Sequence, residues 1–332
     1  MDHGKGNSHM ARLAALKHFM AFAAASLCAC AALAQPFPAR PVKIVVPFAP
    51  GGNLDVTARL VGEHMAKTLG QPVVVENRAG AGGALGSEGV AKSAPDGYTL
   101  VTGTTGTIVV SPLLIPNPPY QLSNFAAVGL MAVTPLVLEV PAASPHKDFR
   151  SYLAYVKANP GKVTIGHSGN GTTNHIAILQ LQDALKVDWV AVPYKGSGPA
   201  LIDLMGGQID SMIDQTSSSL VQIQAGKLRA LAVGTRSRIA DLPNVPTLQE
   251  QGVADFEAVT PSGLFVPAGT PPDVIRTLAG ALNKALEDPG VRKRLAELGS
   301  EVRVTTTAEF DRFMHEEEAK LKKLAAAGVL KP

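Results

Sequence analysis

The sequence predicts an α/β protein of two lobes. Three observations carry this reading. Short β-branched runs alternate with stretches of helical periodicity along most of the 332 residues, the pattern of parallel strands joined by helices. Aromatic residues make up 5% and tryptophan occurs once, at Trp189, so small aliphatic side chains must fill the core, which suits helix-on-sheet layers. The length is that of two domains at roughly 150 residues each.

The elements follow in order. Val42–Val46 is a buried strand, and Pro47 to Asn53 is a Gly-Pro turn. Val56, Leu60, Met65 and Leu69 mark a helix that Gly70 ends. Val73–Val75 is the next strand; Gly80 to Gly86 is a glycine-rich turn before another helix, and Pro95-Asp96-Gly97 introduces a strand at Tyr98–Val101. A Pro-rich connection covers Pro112 to Pro119, and Val133–Pro141 is an extended segment leaving the first lobe. The second lobe opens with a helix at Phe149–Ala158 and a strand at Val163–Gly166. A helix at Thr173–Leu185 follows, then strands at Trp189–Val192, Ile209–Ile213 and Leu228–Val233. After a strand at Gly263–Val266, helical patterns dominate from Pro272. The β-α alternation predicts parallel sheets. Two extended crossings, near residues 138 and 258, divide the chain into a first lobe of residues 35–137 plus 259–332 and a second of residues 138–258.

The first 34 residues stand apart. Arg12 and Lys17 precede an apolar run from Phe19 to Ala34 that closes on Ala32-Leu33-Ala34, the layout of a secretory signal. The run is short for a membrane span of about 20 residues. Leu27-Cys28-Ala29-Cys30 offers lipid anchoring at Cys30 as an alternative, and Met10 is an alternative start. Both cysteines lie in this segment, so the remainder has no disulfide, thiolate nucleophile or cysteine-ligated zinc. Removing Lys5, Arg12, Lys17 and Asp2 leaves 27 basic and 26 acidic residues, a net charge of +1 without basic runs. Nucleic acid is not an expected partner.

Three strand-to-helix turns have the composition of an anion site. Free N–H groups and the helix dipole favour negative charge there. The first is Pro47-Phe48-Ala49-Pro50-Gly51-Gly52-Asn53-Leu54-Asp55. Gly51 and Gly52 admit close backbone approach, Asn53 can cap the helix, and Asp55 either supports the helix start or receives an ammonium group. The second is Gly166-His167-Ser168-Gly169-Asn170-Gly171-Thr172-Thr173-Asn174-His175, crowded with hydroxyls and amides; its His175 suits packing as well as ligation. The third is Val192-Pro193-Tyr194-Lys195-Gly196-Ser197-Gly198-Pro199, where Tyr194 has a phenol to donate and Lys195 is the one cation. Asp214, ending an apolar strand, can cap a helix or meet a ligand.

Enzyme signatures are incomplete. The run from Gly166 to Asn170 lacks the closing glycine of a nucleophile elbow. No Gly-Lys-Ser/Thr follows a glycine loop, the last glycine of Gly80 to Gly86 falls one residue late for a dinucleotide fingerprint, and His315-Glu316-Glu317-Glu318 lacks a second histidine.

Taken together these turns resemble the Bug receptors, the extracytoplasmic solute-binding component of tripartite tricarboxylate transporters. The likeness includes Pro47 to Asp55, Gly70 to Arg78 with Gly80 to Gly83, Ala94 to Leu100, Ala158 to Lys162, Pro193 to Gly196, Gly206 to Gln208, Ala225 to Ala232 and Pro267 to Pro271. The resemblance implies a type II periplasmic-binding-protein fold, two Rossmann-like lobes with a ligand cleft between them, in the periplasm; the chain is expected to act as a monomer. It implies capture of a small carboxylate-bearing molecule for integral-membrane transporter subunits, with no catalysis, no cofactor and no metal. On this likeness Gly51 and Gly52, in the turn with Phe48 and Ala49, form the first-lobe pincer beside Thr104 and Thr105. Ser168, Gly171, Thr172 and Thr173 form the second-lobe grip, and Tyr194, Lys195 and Asp214 line the far side. Two positions depart from the family pattern: Thr260-Pro261-Ser262 stands where a tryptophan is usual, and Tyr120-Gln121-Leu122 replaces a Tyr-Asp-Pro segment. The alternatives are a sensory receptor feeding a signalling partner and a serine hydrolase using Ser168.

Overall fold

The computed structural model describes residues 37–115 and 117–326. The expected leader with its Ala-x-Ala site, Met10 and both cysteines lie outside the described residues. The chain divides into a short leading unit ending at Ala39 and a body from Arg40 that carries every element below.

Strand β1 (Val42–Val46) lies between β2 (Val73–Asn77) and β3 (Thr99–Thr104), parallel to both. Val42, Ile44, Val45 and Val46 are fully buried, each contributing on the order of 1.5–3 kcal/mol by leaving water. Helix α1 (Asn53–Leu69) returns from β1 and ends at Gly70, whose positive φ of 65° lets its N–H reach Ala66 O. Helix α2 (Ala84–Ala91) follows β2.

Strand β4 (Phe125–Pro141) is the spine of the molecule. Its first part, to Pro135, pairs with β9 (Val259–Pro267); from Leu136 it pairs with β7 (Ser211–Gln215), and from Val137 with β8 (Leu228–Val233). Strand β5 (Thr164–His167) lies between β7 and β6 (Val190–Pro193), parallel to both. The path is therefore β2-β1-β3-β9-β4-β7-β5-β6, with β8 on β4.

The sheet is mixed, which corrects the expectation of parallel sheets. β9 runs antiparallel to β3 and β4, and β4 runs antiparallel to β7 and β8. β4 crosses between the halves, pairing with β9 in the first and with β7 and β8 in the second, and β9 follows the return of the chain to the first half. Because β4 runs unbroken through the expected boundary at residue 137, that boundary is a change of strand partners and not a gap in packing.

Helices α3 (Phe149–Ala158), α4 (Thr173–Leu185), α5 (Ser197–Met205) and α6 (Thr216–Gln224) cover the second half. Helices α7 (Pro272–Glu287), α8 (Pro289–Glu297) and α9 (Thr307–Ala326) complete the chain. Separate cores sit in the two halves. Ile108, Phe125, Phe265 and Phe310 anchor one, and Phe149, Tyr152, Ile165 and Trp189 anchor the other. Among the described residues no helix is long and apolar enough to cross a membrane.

Candidate ligand-binding site

The turns after β1, β3, β5, β6 and β7 face one another across the crossing strands. A cavity of ≈ 30 Å³ lies where they meet, far below the roughly 300–1,000 Å³ of an ordinary small-molecule pocket. A ligand larger than a few waters therefore does not fit with the halves in this arrangement.

The first half contributes Phe48, Gly52, Asn53, Leu54, Asp55, Thr104 and Thr107. Gly52 caps α1 without a side-chain bond; the amides of Asp55 and Val56 donate to Gly52 O, and those of Asn53 and Leu54 have no side-chain acceptor from the cap. Asn53 is not the cap expected of it. Its Oδ1 accepts from Ser217 at 2.7 Å and Thr134 at 3.2 Å, and its buried Nδ2 has no partner. Asp55 accepts from Gly51 N–H (3.0 Å), Asn77 Nδ2 (2.9 Å) and Arg59 (2.8 Å). Burial pushes its carboxyl up, but the bonds from Arg59, Gly51 and Asn77 outweigh burial and leave it below its ordinary value. Asp55 thus locks the turn, with its oxygens already engaged. Thr104 and Thr107 exchange backbone-to-hydroxyl bonds at 2.9 and 3.2 Å. Thr105 is buried beside them but off the lining.

The second half contributes Ser168, Thr172, Thr173, Asn174, Ser197 and Gln215. Thr172 caps α4, accepting from His175 N–H. The hydroxyls expected to grip a carboxylate point their hydrogens inward instead. Ser168 donates to Asn174 Oδ1 at 2.9 Å, and Thr172 donates to Gly169 O at 2.6 Å. Thr173 pairs with Thr260 at 2.9 Å, where the family pattern has tryptophan nearby. The starts of α5 and α6 in this wall have no side-chain cap, and Ser197 and Ser218 from their first turns both donate to the buried Asp214.

Several expected residues lie elsewhere. Ala49 and Gly51 line an outer groove, and Ala49 N–H donates to Lys195 O across the halves at 2.9 Å. Lys195 itself is exposed, its side chain off the cavity. Tyr194 donates to Asp203 at 2.8 Å, nine residues along the same turn and helix, so its phenol is not offered to a ligand. Gly171 packs on the Ser111 backbone. His175 stacks on His167 with centroids 4.6 Å apart and accepts from Gly171 N–H, a packing role. Burial lowers both histidines, His167 to about 4.

Asp214 is buried directly behind the wall. It accepts from Ser197 and Ser218 at 2.5 Å, Ser219 at 2.9 Å and Asn174 Nδ2 at 3.3 Å. Burial raises its carboxyl, and these donors offset only part of the rise. Ser219 also lies 2.8 Å from Glu139 Oε1. Glu139 is fully buried, and burial followed by the Asp214 charge pushes its carboxyl well above the ordinary range.

Reading the turns missed Asn53, expected only as a cap, and Leu54, Thr107, Asn174, Ser197 and Gln215 as lining residues. Ser197 and Asn174 stand inside turns already singled out, one following Gly196 and the other within the Gly166–His175 run. Gln215 follows Asp214 at a strand end. Thr107 had no signal, since a π-helical turn over Gly106–Val110 brings it to the cavity.

Two halves meet backbone to backbone at the rim. A Cβ on Gly198 would lie 2.1 Å from Pro50 O, and one on Gly82 would lie 2.1 Å from Asn170 O. No larger residue fits this approach.

Comparison with known proteins follows the same lines. A family model described as the tripartite tricarboxylate transporter family receptor matches residues 57–329. A Pseudomonas sp. (strain P51) protein named for its place in the tcbD-tcbE intergenic region is 43% identical over 265 residues, 79% of each chain. The structure of the periplasmic binding protein BugD is 36% identical with a TM-score of 0.85, covering 89% of this chain and all of that one. MatC from Rhodopseudomonas palustris, solved with bound malate, is 37% identical with a TM-score of 0.83, over 87% of this chain and 99% of that one.

Proposed function

Because the chain belongs to the tripartite tricarboxylate transporter receptor family, we propose that it captures a small carboxylate-bearing molecule between its halves and delivers it to integral-membrane transporter subunits. Residues 35–137 with 259–332 act as one lobe and residues 138–258 as the other, after export to the periplasm and removal of residues 1–34. The protein is a receptor, not an enzyme. Ser168 supports this, since its hydroxyl is bound to an amide oxygen and not to a base.

One observation carries the reading. Uncapped helix starts from both halves converge on a buried cavity that, among the described residues, no Lys or Arg lines. Such a site stabilises an anion with fixed dipoles and avoids burying an unpaired cation. Charge-assisted bonds contribute roughly 1.5–3 kcal/mol each, so a few offset the ordering cost and reach micromolar affinity, about −8 kcal/mol. The bound malate of MatC is the same class of ligand.

The test is calorimetric titration of ligand-stripped protein with a wide panel of aliphatic and aromatic carboxylates and their amides. Binding of an acid but not of its amide is expected. Failure of every acid, or equal affinity for acid and amide, would refute carboxylate capture.

A further inference from the structure

Ser219 lies within hydrogen-bond distance of two buried carboxyl groups, 2.9 Å from Asp214 and 2.8 Å from Glu139. A hydroxyl has one hydrogen, so one carboxyl must itself be protonated. The surroundings decide which. Glu139 Oε2 is buried with no partner, the costliest place for a charged oxygen. Asp214 instead has hydroxyls from Ser197, Ser218 and Ser219 and the amide of Asn174 around it. Asp214 therefore holds the negative charge. No Lys or Arg hydrogen-bonds or pairs with either group among the described residues; Arg229, on the neighbouring β8, is turned to the carbonyls of Ala142, Ser144 and His146.

This has a consequence for the cavity. Ser197 directs its only hydrogen to Asp214 and leaves lone pairs for anything bound beside it. Ser168 and Thr172 are in the same condition, with hydrogens held by Asn174 Oδ1 and Gly169 O. The amide of Asn174 is oriented by its own donation to Ile213 O at 2.8 Å and by Gln215 donating to its oxygen at 3.0 Å. The opposite wall has the reverse character. Asn53 is 4% exposed and presents an unpartnered N–H₂ at the start of α1.

We infer that the ligand carries a hydrogen-bond donor, a hydroxyl or an ammonium group, beside its carboxylate. The carboxylate faces Asn53 and the first amides of α1, and the donor is received by Ser197 with the Asp214 charge behind it. The inference rests on the capture reading above and narrows its ligand class to hydroxy or amino acids.

The test is calorimetric titration of the full chain with propionate, lactate and alanine, and with succinate, malate and aspartate. Each set differs at one carbon. The hydroxy or amino member is expected to bind at least tenfold tighter than the unsubstituted acid, and the tighter of the two names the donor. Ser197→Ala is expected to bring that ratio below threefold. Unsubstituted acids binding as tightly as both substituted ones would overturn the inference and leave capture intact. A tenfold ratio kept in a folded Ser197→Ala variant would overturn the role of Ser197. Failure of all six acids overturns the inference, whereas capture itself falls only if the wider panel fails too.

Discussion

Gly198→Ala isolates closure from stability. Gly198 lies in the first turn of α5, and the added Cβ would sit 2.1 Å from Pro50 O. Ordinary contact begins at 3.4 Å, so the facing turns must separate by about 1.3 Å. The neighbouring bond from Ala49 N–H to Lys195 O is 2.9 Å, and the same displacement stretches it to about 4.2 Å, outside hydrogen-bond range. One lost bond costs about 0.5–1.5 kcal/mol, and ligand bonds that need both walls lengthen with it. Affinity is expected to fall about tenfold, or ~1.4 kcal/mol. The free protein should hold its stability, because alanine is favoured over glycine in a helix by roughly 0.5–1 kcal/mol. Gly280→Ala is the control, since a Cβ there meets nothing within 4 Å. Calorimetry gives affinity and thermal melting gives stability. Unchanged affinity in Gly198→Ala, or an equal loss in Gly280→Ala, would refute closure through the glycine rim.

Two pH effects follow from buried groups. Glu139 keeps its proton when folded and releases it on unfolding, so stability falls as pH rises from about 4.5 through its raised folded value, by about 1.4 kcal/mol per unit. Glu139→Gln should flatten that slope in urea denaturation between pH 5 and 8; an unchanged slope would count against a neutral Glu139. His167 behaves oppositely. Held near 4 when folded against an ordinary 6.5, it takes up a proton on unfolding, so its contribution is present above 6.5 and lost as pH falls towards 4. The loss is about 3 kcal/mol at most, and His167→Gln should remove it from acid denaturation curves; equal acid losses in both proteins would contradict this.

Much of the architecture was legible because its signals are local. β1, α3, α4 and β8 fall at their expected bounds, where β-branched runs meet caps such as Asp148 and Thr172. β4 begins eight residues before the expected Val133, because a strand buried on both faces shows no alternation to mark its start. Strand direction was not legible for β9, since a period of two is the same in either direction. At the site, glycine, serine and threonine at strand-to-helix turns pointed to turns that meet at the cavity. What they do there depends on distant partners. Tyr194 was expected to donate to a ligand until Asp203 is seen beside it, and Ser197 is set by Asp214, seventeen residues away. Asp55 takes the structural one of its two expected roles, because Arg59 and Asn77 claim its oxygens, and Asn53 is not the expected cap, because Ser217 and Thr134 hold its Oδ1.

The most direct measurement is a crystal structure of the protein with the tightest-binding acid of the panel. A carboxylate enclosed by both halves is expected within about 3.2 Å of the first amides of α1 and Asn53 Nδ2, touching no Lys or Arg side chain. A carboxylate held by a lysine or arginine, or seated outside the cavity between Gly52, Thr104, Ser168 and Ser197, would contradict capture by neutral donors.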